Sequence, residues 1–207
     1  RPENVEADLL TKKFGLHKDD YICALSRLTE EKGIHYLIEA YQNVKTDKKL
    51  VIAGDTSDTD DYVMKLKKLA GNNPNIIFTG FVSGKLLEEI YSNAYVYVLP
   101  SKLEGMPLSL LEAMSYGNCV IGSDIAEIAD VVEDKAILFK KANVEDLKEK
   151  LQMVCDDVEL VEKYKREASG YICGKYNWED VVSRTLRVYQ KGKKINENLN
   201  DKQVSIS

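Results

Sequence analysis

The chain has 207 residues, of which 44% are hydrophobic and 30% are charged, so it is long enough to bury the core of one good-sized domain. Its net charge is −5, from 29 basic and 34 acidic residues, which argues against a nucleic-acid partner because phosphate binding needs a basic stripe. No run approaches the roughly eighteen apolar residues that a membrane-spanning helix needs.

Six short apolar runs alternate with amphipathic segments along the chain. Strands are predicted at 21–28, 49–54, 76–80, 96–100, 119–123 and 137–140. Runs such as LVIAG and CVIG are almost wholly apolar, which is typical of strands covered by helices on both faces. The alternation predicts an α/β fold: a doubly wound, Rossmann-like parallel sheet of about six strands flanked by helices.

Helices are predicted between these strands because apolar residues recur on one face. The faces are Ile34/Leu37/Tyr41/Val44, Leu86/Leu87/Ile90/Tyr91/Ala94 and Leu147/Leu151/Val154. Consecutive helices follow at 143–156, 158–174 and 178–191, with Asn143 and Asn177 as predicted N-caps. We therefore expect one domain over 1–192 and a disordered polar tail over 193–207. The chain opens on Arg1 without an initiator Met, from which we expect it to be a piece of a longer protein.

Four cysteines are scattered through the chain without C-x-x-C spacing: Cys23, Cys119, Cys155 and Cys173. This pattern favours reduced thiols in the core of a cytosolic protein over a disulfide framework or a zinc site.

In an open parallel sheet, ligands bind beyond the carboxyl ends of the strands. The loop after the first strand, SRLTEEKG, carries Arg27 and Lys32. The planar guanidinium fork of Arg27 and the mobile ammonium charge of Lys32 suit a diphosphate. Surface ion pairs with Glu30 and Glu31 are an equally good interpretation from spacing alone.

Two other loops carry weaker signals. The triplet DTD at 58–60 matches a D-x-D metal motif, but acids and hydroxyls just before a helix near Tyr62 are more typical of capping, so no metal site is predicted. The loop TGFVSG at 79–84 offers a backbone edge for a flat ligand ring.

The stretch SKLEGMPLSLLEAMSYG, 101–117, holds two acids. A helix is predicted to begin around Pro107, and its free amides form a ready anion site. Glu112 lies in so apolar a helix that we expect it to be largely buried and to bond two neighbouring hydroxyls, as on a ribose, rather than to be an exposed helical glutamate. Glu104 precedes this helix and is expected to lie over the group that is attached to a phosphate ligand bound there.

Together these motifs resemble the C-terminal, donor-binding domain of GT-B glycosyltransferases, most closely the retaining glycosyltransferase family 4, or glycosyl transferases group 1. The E-x7-E pattern runs from Glu104 to Glu112, SRLTEEKG is similar to the phosphate loop, and LVIAGD and IIFTGFVS look like the second and third strands with their loops. The segment 116–134 resembles the one after the acidic motif. The resemblance covers residues from about 9 to 190.

The resemblance implies specific roles. Glu112 would hold the ribose, Arg27 and Lys32 the diphosphate, and the backbone at Phe81 and Val82 would flank the base. Glu104 would contact the donor sugar and, with the two cations, take part in catalysis. The remaining implied donor-binding positions are Gly105, Met106, Pro107, Leu108 and Ser109. The family often has glycine in place of Pro107 and an aliphatic residue in place of Ser109.

The implied function is donor binding in a retaining glycosyltransferase that moves a hexosyl unit from a nucleotide-diphosphate sugar to an acceptor, in cell-surface polysaccharide or glycoconjugate synthesis. The expected donor is a UDP-sugar, with GDP- and ADP-sugars as alternatives, and no metal or other cofactor is obligatory. The N-terminal half, expected to bind the acceptor saccharide or lipid-linked saccharide, is absent from this chain, so we expect the isolated domain to be inactive.

The full-length enzyme is expected to be cytoplasmic or peripheral at the inner membrane face. Three other functions stay open: a non-catalytic nucleotide-sugar-binding module, a GT-B phosphorylase and a nucleotide-sugar epimerase. A receiver-like domain is disfavoured, because Arg27 stands where such a domain needs an acidic cluster.

Overall fold

The computed structural model describes residues 5–55 and 60–176, without the side chain of Asp60. Several predictions fall outside this part: the side chains of the triplet at 58–60, the helix at 178–191 with its cap Asn177, and the boundary between a domain and a tail at 192/193. The chain divides into two units, Arg1–Ile172 and Cys173–Ser207. Every strand described below belongs to the first unit.

Six strands form one sheet, and all six begin at the predicted residues. They are β1 Tyr21–Leu25, β2 Lys49–Ala53, β3 Ile76–Gly80, β4 Val96–Leu99, β5 Cys119–Ser123 and β6 Ile137–Phe139. The strands are parallel and lie in the order β3-β2-β1-β4-β5-β6, which confirms the doubly wound α/β prediction.

The first strand was predicted too long. β1 ends at Leu25, not at 28. The chain leaves the sheet after Leu25, and the Leu28 amide donates to the Asp55 carbonyl at 3.0 Å instead of continuing the strand ladder. Leu28 is apolar and buried, which is typical of a strand residue, but it lies in the loop after β1.

Helices cover both faces of the sheet. They are α1 Asp8–Phe14, α2 Ile34–Tyr41, α3 Asp60–Ala70, α4 Gly84–Asn93, α5 Leu108–Ser115, α6 Ala126–Val132, α7 Val144–Asp156 and α8 Val158–Lys175. The predicted cap of α7 is confirmed, since Asn143 Oδ1 accepts a 3.0 Å bond from the Asp146 amide. Within the described residues, no helix is both long enough and apolar enough to cross a membrane.

Strand order reverses between β1 and β4, the point at which ligands bind in such sheets. The two strands are in register only at Ile22↔Val96 and Cys23↔Tyr97. Their carboxyl ends, Leu25 and Leu99, extend beyond this pairing. The loops that follow β1 and β4 therefore begin on either side of a gap in the ladder.

The cysteines only partly match their predicted environment. Cys23 and Cys119 are buried core residues, Cys155 is half-buried and Cys173 is exposed, so the expectation of four core thiols is wrong for Cys173. Burial raises the pKa of the Cys119 thiol to about 12.

Candidate functional site

The loops after β1 and β4 are fastened to each other by their backbones. Gly33 has a φ of +67°, and a Cβ there would lie 2.1 Å from the Pro100 carbonyl oxygen, so glycine alone permits the approach. Two residues from this contact in each loop, the Lys102 amide donates to the Glu31 carbonyl at 2.7 Å. These contacts bring the end of SRLTEEKG against the start of the acidic stretch.

Lys32 and Glu104, both predicted site residues, meet across this junction. Lys32 Nζ lies 2.8 Å from Glu104 Oε1, and the two side chains are only 15% and 6% exposed. The Ser101 hydroxyl donates to the same Oε1 at 2.6 Å, and the Ser123 hydroxyl in turn donates to the Ser101 carbonyl. The carboxylate is thus held by Lys32 from the loop after β1 and by Ser101 from the loop after β4, and Ser123 of β5 holds Ser101 in turn. Sequence reasoning missed Ser101, whose role depends on this three-dimensional junction.

The ion pairs decide one alternative left open by the sequence. Glu30 pairs with Lys65 at 2.8 Å, and both of those side chains are more than half exposed. The partner of Lys32 is Glu104 rather than either glutamate of its own loop. An ordinary surface pair is therefore not the environment of Lys32.

Arg27 borders a cavity of about 340 Å³ at the carboxyl ends of β1, β2 and β3. The cavity is lined by Leu25, Ser26, Arg27, Gly54, Asp55, Phe81 and Val82. The Phe81 ring is 75% exposed and Val82 is buried, so an aromatic face is available to a ligand. The sequence named Arg27, Phe81 and Val82. The other residues end β1 or follow β1 and β2, so the same rule could have found them.

The start of α5 differs from the prediction. Pro107, with φ −79° and ψ 66°, precedes the helix, which begins at Leu108. The Leu108 amide bonds the Met106 carbonyl at 2.8 Å, and the amides of Leu110 and Leu111 both bond the Pro107 carbonyl at 3.0 Å. The Leu111 bond is the first ordinary i→i−4 bond of the helix. The expectation of a full set of free amides is therefore wrong, because two of them, those of Leu108 and Leu110, are used internally.

The prediction that Glu112 is largely buried is also wrong, because Glu112 is exposed. The helix buries Leu110, Ala113 and Met114, whereas Leu108 is 54% exposed, so its apolar composition does not mean that it is covered all round. Glu112 nevertheless has a buried partner: the Tyr91 hydroxyl donates to Glu112 Oε2 at 3.0 Å.

A second buried tyrosine ties α5 to β1. The Tyr97 hydroxyl lies 2.9 Å from both the Leu25 carbonyl and Ser109 Oγ. Since the carbonyl can only accept, Tyr97 donates to it and receives the Ser109 hydroxyl proton. Ser109 is half-buried, so its hydroxyl is already engaged. Gly105 and Met106, in contrast, are exposed in the loop that follows β4. We call the space between this loop and the loop that follows β1 the crevice.

Two further observations bear on the site. Within the ranges that the structure describes, no group of three or more His, Cys, Asp or Glu lies together as a metal site would require. A larger cavity of about 580 Å³ borders α1, where its lining includes Thr11, His17 and Asn93. It lies away from the carboxyl ends of β1 and β4, so the crevice remains the candidate site.

Comparisons with known proteins give a consistent family. A sequence model of the family described as glycosyl transferases group 1 matches residues 7–171. The chain is 31% identical over 184 residues to the uncharacterized glycosyltransferase MJ1607 of Methanocaldococcus jannaschii, covering 86% of this chain and 47% of that protein. It is 27% identical to the O-antigen chain mannosyltransferase B of Escherichia coli, covering 86% and 48%.

Among solved structures, the fold is similar to that of Anabaena Alr3699/HepE, crystallised in complex with UDP and glucose. The TM-score is 0.82 at 18% identity, and the match covers 92% of this chain and 53% of that chain. The chain therefore spans about half the length of the relatives it matches.

Proposed function

This chain belongs to the glycosyl transferases group 1 family, with the fold of one half of a GT-B glycosyltransferase, and on that premise we propose that it binds the nucleotide-sugar donor of a retaining glycosyltransferase. The observation that carries the proposal is the largely buried Lys32–Glu104 pair at the point where the strand order reverses. It places a cation and an acid side by side where a ligand would enter.

We assign the diphosphate to Arg27 and Lys32. The Lys32 ammonium has three N–H donors and gives one to Glu104, so others are available for a phosphate. Because the turn at the start of α5 uses two of the first amides internally, we assign most of the positive charge that faces the anion to these two side chains.

The remaining parts of the donor are assigned to the neighbouring groups. The base would occupy the 340 Å³ cavity against Phe81 and Val82, and the ribose hydroxyls would bond Glu112. Glu104 Oε1 already accepts two bonds, so we assign the donor sugar to Oε2. The stretch 105–109, in which Gly105, Met106 and Leu108 are exposed, would border the phosphates.

In the proposed reaction, the bond between the anomeric carbon and the diphosphate oxygen breaks, and that carbon forms a new bond to the oxygen of an acceptor hydroxyl with retained configuration. Negative charge then grows on the leaving diphosphate. Lys32, held in advance by Glu104, and the exposed Arg27 would stabilise that charge, the task that a divalent ion performs in other transferases. The proton of the acceptor hydroxyl passes to the departing diphosphate.

We propose a hexosyl donor, with a UDP-sugar first and GDP- or ADP-sugars as the other candidates. The Anabaena protein was crystallised with UDP and glucose, which supports a uridine nucleotide. The name of the O-antigen chain mannosyltransferase supports a role in polysaccharide synthesis. Since the chain spans about half of its relatives, we propose that another domain binds the acceptor and that this domain alone, over 1–192, transfers no sugar.

Titration calorimetry of this chain tests the proposal. UDP, GDP, ADP and their hexose conjugates are titrated with and without Mg²⁺, into the wild type and into Lys32→Ala and Glu112→Ala. Lys65→Ala is the matched control, because it removes a surface lysine from an ion pair outside the crevice. Selective, metal-indifferent binding that only the first two variants lose supports the proposal, and a folded wild type that binds none of the ligands at millimolar concentration overturns it.

A further inference from the structure

Tyr91 is a buried tyrosine whose hydroxyl contacts one of the two acids of the site. It lies on α4, is 1% exposed, and donates to Glu112 Oε2 on α5 at 3.0 Å. Its ring stacks on Tyr116, with centroids 5.4 Å apart and an angle of 18°, and lies 5.9 Å from the ring of Tyr97. The Asn118 amide donates to the Tyr91 carbonyl at 2.8 Å. The tyrosine is therefore fixed at both its ring and its backbone.

Glu112, in contrast, is exposed on the surface of α5 and would be free to sample many rotamers. A hydrogen bond from a rigid donor restricts one carboxylate oxygen. The carboxylate has about four lone-pair sites, so one bond from Tyr91 leaves acceptor capacity for two ligand hydroxyls. Fixing such a group before binding removes part of the entropy cost of association.

The hydroxyl of Tyr91 is suited to act as the donor. Burial raises the pKa of this phenol far above its ordinary value, so it carries its proton at neutral pH. The Ser109 carbonyl lies 3.3 Å from the same hydroxyl, but a carboxylate at 3.0 Å is the stronger acceptor because it is charged.

We propose that Tyr91 is a positioning residue for ribose recognition: its hydroxyl holds Glu112 Oε2, so that the carboxylate faces the crevice ready to accept the 2′ and 3′ hydroxyls of the donor nucleotide. This inference rests on the proposed function, because it requires a nucleotide at the site. It assigns a role to a residue that contributes no atom to the ligand's contacts.

The test compares ribose with dideoxyribose in Tyr91→Phe, which removes only the hydroxyl. UDP, GDP and ADP are titrated into the wild-type chain, and the tightest is then compared with its 2′,3′-dideoxy form in each variant. The ratio of the two dissociation constants is measured on one preparation, so a smaller folded fraction affects both values equally. Tyr21→Phe is the matched control, since the Tyr21 hydroxyl bonds the carbonyl of Ile90, the residue before Tyr91.

We expect Tyr91→Phe to weaken binding of the ribonucleotide by about two- to tenfold, because the Glu112 carboxylate must then be immobilised during binding, and to leave binding of the dideoxy form nearly unchanged. Glu112→Ala should remove the same discrimination, and the double variant should lose no more than Glu112→Ala alone. A wild-type ratio kept by Tyr91→Phe but lost by Glu112→Ala overturns the inference and leaves the proposed function standing. A wild type that binds no nucleotide overturns both.

Discussion

Lys32 and Glu104 are 72 positions apart in the sequence, and a 2.8 Å ion pair joins them across the gap between β1 and β4. Both side chains are largely buried, so removing one partner would leave the charge of the other poorly solvated. The pair therefore serves two purposes in our proposal: it fixes the acid that contacts the sugar, and it holds an ammonium beside the phosphates.

Lys32→Ala should weaken the binding of nucleoside diphosphates about tenfold or more and leave that of the free nucleoside unaffected, because in the proposed site the ammonium contacts the phosphates and not the nucleoside. Calorimetry with UDP and uridine, or with the diphosphate and nucleoside of whichever base binds, measures both affinities. Equal losses for the two ligands would show that the variant disturbs the whole crevice rather than a phosphate contact.

Gly33→Ala should lower the free energy of unfolding by about 2 kcal/mol or more, since the new methyl group meets the Pro100 carbonyl and the positive φ is strained. Gly71→Ala is the matched control: its φ is +60°, but nothing lies within 4 Å of the added carbon. Urea denaturation of both variants separates the collision from the strain. Similar losses in the two would mean that the loops are not in tight contact.

His35 should make the fold sensitive to mild acid. Burial holds its pKa below the ordinary 6.5, although Glu30 partly counteracts this, and Nδ1 lies 2.7 Å from the Tyr62 hydroxyl. Below about pH 6.5 the unfolded chain takes up a proton that the folded chain refuses, so the free energy of unfolding falls as the pH drops. Above that pH the histidine adds no pH dependence.

Denaturation curves between about pH 7.5 and about pH 5.5 measure this effect. His35→Gln should flatten the acid decline, whereas the same change at His17, the exposed second histidine, should leave it as in the wild type. An unchanged slope in His35→Gln would assign the decline to carboxylates instead.

The four thiols should react with iodoacetamide in order of exposure. Cys173 should be alkylated first and the half-buried Cys155 more slowly, because burial raises its pKa. Cys23 and Cys119 should react only after denaturation, since burial raises the pKa of both thiols. Peptide mass spectrometry at successive times gives the order, and early labelling of Cys119 would contradict the described core.

The sequence was sufficient for the fold because its information is local: each apolar run marks the start of a strand, and parallel order follows from the alternation with helices. Prediction from the sequence failed where the exposure of a side chain depends on tertiary contacts. Glu112 was expected to be buried because its helix is apolar, but Leu108 is exposed beside the crevice. Composition cannot say which apolar side chains face a neighbouring helix and which face a cleft.

The acids and cations of the site came from motifs, but their supports did not. Ser101 and Tyr91 gave no distinct signal, the first as a serine in a loop and the second as part of an apolar helical face. Their contacts with Glu104 and Glu112 exist only after the strands are assembled. A buried tyrosine hydroxyl always needs a partner, however, and that rule could have directed attention to Tyr91.

The gap at which we propose that the ligand binds also lies at the shortest strand ladder of the sheet. β1 and β4 share two registered pairs, fewer than any other neighbouring strands described, whereas β1 and β2 pair from Tyr21↔Lys49 to Leu25↔Ala53. The six-stranded sheet therefore has two three-stranded halves, β3-β2-β1 and β4-β5-β6, joined by its shortest ladder. A ligand that contacts the loops on both sides would hold these two halves together. We therefore expect amide hydrogen exchange in β1 and β4 to slow when such a ligand binds.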